Sequence, residues 1–174
     1  MTAKEFQKLV TGDKSDFLDR FPALLSEKHI EYCVIDGLAV NAYAEPVVTL
    51  DCDVVVVISR LAELEQALPP MCKVERFEHS LNLTNKQSDV RIQIQTDPRY
   101  QPFVSRSGKR DVLERTLPVA DIEDLLQGKI WAYQDATRRA SKRQKDLADI
   151  AWLIEARPAL EAKVPEEIRS RLLT

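Results

Sequence analysis

The stretch Thr49-Leu50-Asp51-Cys52-Asp53-Val54-Val55-Val56-Val57 places two carboxylates beside a run of valines that is typical of a buried strand. Alternate residues of a strand point to the same face, so Asp51 and Asp53 project together with about 7 Å of rise between them. Two anions on an interior strand repel each other and lose hydration, and a divalent cation relieves both costs. The pattern predicts a metal site; the alternative is a strand start in which Asp51 ends a turn and Asp53 faces water.

Carboxylate ligands favour Mg²⁺, with Mn²⁺ as a second candidate, and Mg²⁺ usually completes its shell with waters and substrate phosphates. The residues upstream fit such a substrate. Residues 30–35 are predicted as a strand, and Gly37 and Leu38 follow at the start of a short helix that reaches Ala44. A glycine at this turn lets the backbone approach a ligand, and the first amides of the helix can donate to a phosphate. We therefore expect Gly37 and Leu38 to contact a phosphate group of a ligand.

These segments resemble the nucleotidyltransferase superfamily of polymerase-β-like enzymes, and within it the small members related to the AbiEii toxins. The family pattern is a hydrophobic residue, Gly, and Gly or Ser, followed by Asp, hydrophobic, Asp or Glu, hydrophobic. Ile35-Asp36-Gly37 and Asp51-Cys52-Asp53-Val54 are similar to its two halves. The segments 124–129 and 145–150 resemble two helices near its C-terminus, so the likeness spans residues 30–155.

The resemblance implies an α+β fold in which a mixed sheet is flanked by helices and followed by a helical segment. We expect one domain over residues 1–174, with a core over 30–119 and a helical part over 120–174. The implied reaction moves a nucleoside monophosphate from an NTP to a hydroxyl of RNA, protein or a small molecule. The implied biology includes the toxin of a toxin–antitoxin pair, with a cognate antitoxin as partner.

The same resemblance implies roles for individual residues. Asp51 and Asp53 would hold Mg²⁺, and Lys129 and Lys145 would stabilise the leaving pyrophosphate. Lys145 and Asp146 would line the nucleotide pocket, and Asp149 would hold its helix in place. Spacing alone does not separate a ligand contact by these helix residues from ion pairing at the surface.

Lys129 interrupts an apolar helical stripe that begins after a predicted N-cap at Asp121. The other members of the stripe are Ile122, Leu125, Leu126, Tyr133 and Ala136. A lysine in such a place either snorkels to solvent or extends its ammonium into a cleft between helix and sheet. The second alternative is the one that the family resemblance favours.

A basic segment follows, with five cations within eight residues: Arg138, Arg139, Lys142, Arg143 and Lys145. One interpretation is a solvated helix face on which Lys142 pairs with Asp146 and Lys145 with Asp149, each at i, i+4. The other gives part of the segment a role facing phosphate. Both stay open at this point.

Three departures from the family pattern bear on activity. Asp36 replaces the first glycine, Val47 stands where an arginine often precedes the D-x-D strand, and Gln93 takes the place of a third carboxylate. An amide oxygen can contact a metal but cannot act as a general base. Two further hypotheses therefore stay open: a nucleotidyltransferase fold that binds nucleotide or a partner without turnover, and a purely structural interaction module.

Composition indicates a compact domain without a membrane span. The 174 residues are 44% hydrophobic and 30% charged, with a net charge of −3 that argues against a whole-surface grip on nucleic acid. No apolar run approaches the length of a transmembrane helix, and the N-terminus lacks a signal-peptide pattern, so a cytoplasmic location is expected. Three distant cysteines indicate reduced, structural thiols.

The remaining elements follow from periodicity and from turn residues. An amphipathic helix is predicted over 15–28, and a second helix after the valine strand with Ser59 as N-cap and Pro69-Pro70 as its stop. Residues 97–110 are predicted as a mobile loop bordering a ligand cleft. The other predictions are strands over 72–77, 81–84 and 90–95, an edge strand over 112–119 and a short helix over 165–173.

Overall fold

A mixed β-sheet of seven strands forms the centre of the part of the chain that the computed structural model describes, residues 1–44 and 48–172. The strands are β1 (Tyr32–Ile35), β2 (Asp51–Val56), β3 (Lys73–Arg76), β4 (Ser80–Asn85), β5 (Ser88–Gln95), β6 (Gly108–Val112) and β7 (Arg115–Val119). Their order is β3-β4-β5-β2-β1-β7-β6. The β2–β5 and β1–β7 pairs are parallel and the other pairs antiparallel, so the predicted mixed α+β architecture is confirmed.

Helices flank this sheet. They are α1 (Ala3–Val10), α2 (Phe17–Glu27), α3 (Asp36–Val40), α4 (Leu61–Ala67), α5 (Pro102–Arg106), α6 (Ile122–Gln134), α7 (Ala140–Ala156) and α8 (Glu166–Arg169), with 3₁₀ turns at Ile58–Arg60, Pro98–Tyr100 and Pro158–Lys163. Among the described residues, no helix combines the length and the apolar character that crossing a bilayer requires.

The predicted helix over 15–28 is present as α2. The Asp13 carboxylate accepts the backbone N–H groups of Phe17 at 3.0 Å and Leu18 at 3.3 Å, which satisfies amides at the helix start. Phe17, Leu18, Phe21 and Leu25 are buried on one side. Pro22 lies inside α2 without interrupting it.

The valine run occupies the middle of the sheet, because β2 lies between β1 and β5. Val54, Val55 and Val56 are each at most 1% exposed, whereas Asp51 and Asp53 are only partly buried. Apolar burial of this size holds the strand in place. The aspartates lie at its N-terminal end, where the core gives way to a cavity.

Two predictions between residues 97 and 119 are wrong. The predicted mobile loop over 97–110 contains a 3₁₀ turn, α5 and the start of β6. Asp97 caps the turn by accepting the Arg99 N–H at 2.9 Å, and Phe103 is 3% exposed, so local capping and one aromatic anchor order a polar segment. The predicted edge strand over 112–119 is wrong in extent and place: β7 begins only at Arg115, after a turn at Leu113 and Glu114 with φ of 48° and 62°, and β6 is the edge strand beside it.

Two helix boundaries also differ from prediction. Ser59 lies in a 3₁₀ turn and is not an N-cap, because α4 begins only at Leu61. Helix α6 ends at Gln134, so Ala136 lies beyond it, exposed, and does not extend the buried stripe. At the C-terminus, Ile168 of α8 is buried as predicted. Val47 and Leu173, which also entered the predictions, lie outside the described residues.

The cysteines Cys33, Cys52 and Cys72 are free and buried, which confirms their structural assignment. Burial is the largest cause that raises the pKa of each thiol, to about 12 for Cys33 and to about 11 for Cys72. All three are therefore protonated at neutral pH.

Candidate functional site

A cavity of about 100 Å³ opens where β1, β2 and β5 meet helix α6. Its polar wall carries Asp36, Asp53, Gln93 and Gln95, and Tyr100 and Phe103 form an aromatic wall. Leu125, Gly128, Lys129 and Arg138 also line it. The segment 97–110 therefore borders this cleft, as predicted, although it is ordered.

The two aspartates of β2 lie on the same strand face but in different surroundings. Asp53 lines the cavity, whereas Asp51 lies at the rim with 37% of its side chain exposed. The Asp51 carboxylate is 2.9 Å from Nη2 of Arg91, its register partner on β5, and 3.8 Å from Nζ of Lys142 on α7. Asp51 is therefore already paired with two cations.

Asp53 is in an environment that disfavours its charge. Burial is the largest cause, and the negative charges of Asp36 and Asp51 add to it, so the pKa of Asp53 is raised to about 8. A carboxyl in this state carries a proton at neutral pH unless a cation takes its place. Asp53 thus has the electrostatic property expected of a ligand for a divalent cation.

Gln93 lies beside Asp53, as the sequence predicted, because the two residues are register partners on β5 and β2. Its amide oxygen is a neutral hard donor to the same cavity. Together with the aspartates it forms an all-oxygen donor set, which fits the preference of Mg²⁺ and Mn²⁺.

Lys129 does not snorkel to solvent, since it is 3% exposed and its ammonium enters the cleft between α6 and the sheet. There it forms ion pairs with Asp36 and Asp149 and approaches Asp146 at 3.4 Å. The three carboxylates converge within 4.8 Å of one another, with this ammonium as their counter-ion. Burial alone would lower the pKa of Lys129, but the charges of Asp36 and Asp149 outweigh it and raise the pKa.

Helix α7 presents a different face from the one predicted. Its apolar spacing predicts a core stripe of Leu147, Ile150, Ala151 and Ile154. The buried residues are instead Asp146, Asp149, Ile150 and Leu153, and the other three are only partly buried. The reason is that the two aspartates find partners inside: Asp149 pairs with Lys129, and Asp146 accepts from Nε and Nη2 of Arg138 at 2.6 and 3.1 Å. The spacing of apolar residues in the sequence contains no information about such ion-pair partners.

The basic segment divides between the site and other contacts. Lys145 pairs with Asp149 at 3.7 Å, as predicted, but the predicted Lys142–Asp146 pair is wrong because Asp146 is buried against Arg138. Lys142 approaches Asp51 instead. Arg143 donates to the Tyr133 carbonyl at 2.8 Å, and Arg139 is exposed. Arg138, Lys142 and Lys145 thus face the site carboxylates.

Gly37 lies directly under Lys145, since a Cβ at this glycine would be 2.9 Å from the Lys145 Nζ. The absence of a side chain therefore lets the ammonium approach the backbone of α3. Leu38 is 2% exposed, so only its backbone amide can be offered to a ligand.

Several residues of the cavity have no site role in the sequence analysis, among them Asp36 and Tyr100. The sequence pattern treats Asp36 only as a replaced glycine; the signal that could locate it is its place after Ile35, whose antiparallel partner is Asp53. Tyr100 lay in a segment predicted to be mobile. Its ring packs against Phe103 and Trp131, with ring centroids 5.2 and 5.3 Å away.

Solved nucleotidyltransferases share this fold. The lincosamide antibiotic adenylyltransferase LnuA with bound lincomycin aligns with a TM-score of 0.57 and 12% identity, covering 80% of this chain and 98% of that chain. ANT(2'')-Ia in complex with adenylyl-2''-tobramycin aligns with a TM-score of 0.63 and 13% identity, covering 91% of this chain and 97% of that chain. An antigenic nucleotidyltransferase-like protein from Paracoccidioides brasiliensis aligns with a TM-score of 0.54 and 18% identity, covering 95% of this chain and 85% of that chain. At these identities the likeness is one of fold.

The sequence itself matches one family model, described as nucleotidyl transferase AbiEii toxin, Type IV TA system, over residues 53–173. The match includes Asp53, Lys129, Lys145 and Asp146 and begins after Gly37 and Asp51. No curated protein sequence matches. Because the family model covers well over half of the chain, the chain belongs to the AbiEii family of nucleotidyl transferases.

Proposed function

We propose that this protein transfers a nucleoside monophosphate from an NTP to a hydroxyl group, in a reaction that depends on Mg²⁺. The observation that carries the proposal is the environment of Asp53. The partly buried carboxyl of Asp53, with its raised pKa, shares a cavity with Asp36 and Gln93, and cations of α6 and α7 face it. Membership of a nucleotidyl transferase family supports the same chemistry.

In this proposal Asp51 and Asp53 hold the metal, with Mn²⁺ as an alternative to Mg²⁺. When bound, the ion would neutralise phosphate charge and polarise the α-phosphate. Ion pairing with Arg91 and Lys142 would hold the Asp51 carboxylate in place at the rim of the cavity.

The phosphate chain of the nucleotide would be held by the cations on α7. Lys145 is the best placed, because its side chain is 51% exposed and its ammonium lies over Gly37. The amides at Gly37 and Leu38 would donate to the same phosphates, and Asp146 would hold Arg138 at the cavity wall. Contact between Lys129 and the leaving pyrophosphate stays a prediction, since three carboxylates already surround that ammonium.

The reaction itself needs positioning more than covalent chemistry. The acceptor oxygen forms a bond to the α-phosphorus, the bond from that phosphorus to the bridging oxygen breaks, and pyrophosphate leaves. A groove beside the cavity, lined by Arg99, Tyr100, Trp131 and Asp135, has a volume of about 460 Å³ and offers room for an acceptor. RNA, protein and small-molecule hydroxyls remain candidate acceptors, and the toxin role and its antitoxin partner are proposals from the family alone.

A second candidate function is binding of nucleotide without turnover. Two observations favour it: Gln93 supplies no negative charge beside Asp53, and two cations already pair with Asp51. This alternative predicts metal-dependent nucleotide binding in the absence of any transferred product.

The test is a transfer assay with each of the four NTPs labelled at the α-phosphate, using total RNA and total protein as acceptors. We expect label transfer by the wild type, a loss of about a hundredfold or more in Asp53→Asn, and no change in Asp111→Asn, a surface carboxylate on β6. Calorimetry with the same Mg²⁺–NTPs accompanies the assay. Binding without transfer would support the second candidate, and neither binding nor transfer would contradict both.

A further inference from the structure

Antiparallel pairing of β1 and β2 brings Asp36 to the same cavity as Asp53. Ile35 on β1 is the register partner of Asp53 on β2, and Asp36 is the next residue after Ile35. Asp36 and Asp53 both line the cavity, whereas Asp51 does not. Asp124 of α6 also lines this space, but it is paired with Arg106 at 2.7 Å. Asp36, directly after β1, and Asp53 on β2 therefore share the space with the neutral Gln93.

The backbone at Asp36 supports a functional reason for its side chain. Its φ is 59°, in the left-handed region that glycine adopts without cost and that other residues populate sparsely. Holding a non-glycine residue there costs on the order of 1 kcal/mol, and such strain clusters at functional sites. An aspartate at this position therefore carries a modest conformational cost that a glycine would not.

The Asp36 carboxylate is also fixed and charged. It pairs with Lys129 through Oδ1, and Lys129 is held in turn by Asp149 and Asp146. Burial would raise the pKa of Asp36, but the charge of Lys129 outweighs it and lowers the pKa. The Lys129 contact uses one oxygen, and a carboxylate has a second oxygen that can bind a cation.

We propose that Asp36 is a further carboxylate of the cation site, which acts with Asp53 from the end of the neighbouring strand and supplies the negative charge that Gln93 lacks. The inference rests on the proposed function, because it assigns a residue to that same site. In this proposal the buried ion pairs of Lys129 hold the Asp36 carboxylate at the cavity.

The experiment is a titration of the purified protein with Mn²⁺ alone, followed by electron paramagnetic resonance of the free ion. The variants are Asp36→Asn, which removes only the charge, and Asp36→Gly, which also removes the left-handed strain. Asp36→Gly combined with Gln93→Asp returns a carboxylate to the cavity from the other side of Asp53. Asp111→Asn is the matched control, and melting temperatures report whether each variant folds.

We expect both single substitutions at Asp36 to weaken Mn²⁺ binding about tenfold or more. We expect the added Gln93→Asp to restore it and Asp111→Asn to leave it unchanged. Folded Asp36 variants that bind Mn²⁺ like the wild type, or a loss that Gln93→Asp does not restore, would overturn the inference while leaving the proposed function intact. If the wild type binds no Mn²⁺ and transfers no label, the proposed function fails as well.

Discussion

Replacing Lys129 by methionine removes the buried cation that lies among three inward-facing carboxylates, of which Asp146 also pairs with Arg138 and Asp149 with Lys145. Lys129 is 3% exposed, and Asp146 and Asp149 are at most 1% exposed, so water does not replace the lost ammonium. Breaking a buried ion pair from one side costs about 3–5 kcal/mol because the partner charge stays buried. Methionine fills similar volume, so the loss reports charge more than packing. For a chain of this size the corresponding fall in melting temperature is about 6–20 °C.

The pKa of Asp36 determines how the loss of stability in Lys129→Met changes with pH. In the wild type, Lys129 lowers the pKa of Asp36. This shift stabilises the folded state above the unfolded pKa, and that stabilisation is lost as pH falls through the folded pKa. In Lys129→Met, burial without this cation raises the pKa of Asp36. Ionisation of Asp36 then opposes folding increasingly as pH rises above about 4. The difference between wild type and variant should therefore be smaller at pH 5 than at pH 7.5.

The assay is urea unfolding at both pH values, with Lys163→Met as the matched control. Lys163 forms an exposed pair with Glu123 at 2.6 Å and should contribute at most about 1 kcal/mol. A loss below about 1 kcal/mol in Lys129→Met, or a loss that is equally large at pH 5, would refute the reasoning.

Three further predictions follow from individual contacts. Gly37→Ala should change the free energy of unfolding by less than about 1 kcal/mol from that of the wild type, because the added Cβ meets the flexible end of the Lys145 side chain. Nucleotide affinity measured by calorimetry should fall. Unchanged affinity would contradict a role for Gly37 in the site. Arg115→Met should destabilise by about 1.5–3 kcal/mol in urea unfolding, because Arg115 donates to Asp19 at 2.9 Å and to Gln7 at 2.7 Å; a neutral effect would contradict this. The three cysteines should resist a thiol reagent in the native state at pH 8, because burial raises their pKa; rapid native labelling would show that a thiol is accessible.

Sequence reasoning located the fold through local signals that tertiary structure reinforced. The valine run is a central strand because both of its faces and both of its edges are covered, and the alternation of Asp51 and Asp53 survives in that strand. The Gln93 prediction also holds, because parallel pairing of β2 and β5 fixes its register opposite Asp53. These features depend on periods of two residues, which a sequence displays directly.

The features that escaped prediction depend on partners distant in the chain. Asp146 and Asp149 face inward because Lys129 and Arg138 meet them there, and apolar periodicity treats such residues as solvent-facing. Asp36 looked like a lost glycine because its neighbour Asp53 is 17 residues away and becomes adjacent only through antiparallel pairing. Order in the 97–110 segment likewise comes from Phe103 packing into the core.

The most direct test of the account compares NTPs labelled at the α-phosphate with NTPs labelled at the γ-phosphate, for the wild type and Asp53→Asn. The account predicts that only the α-label enters an acceptor, that pyrophosphate is released, and that Asp53→Asn loses this transfer while it stays folded. Transfer of the γ-label, or full activity in Asp53→Asn, would contradict the claim that the carboxylate of Asp53 is central to nucleotidyl transfer.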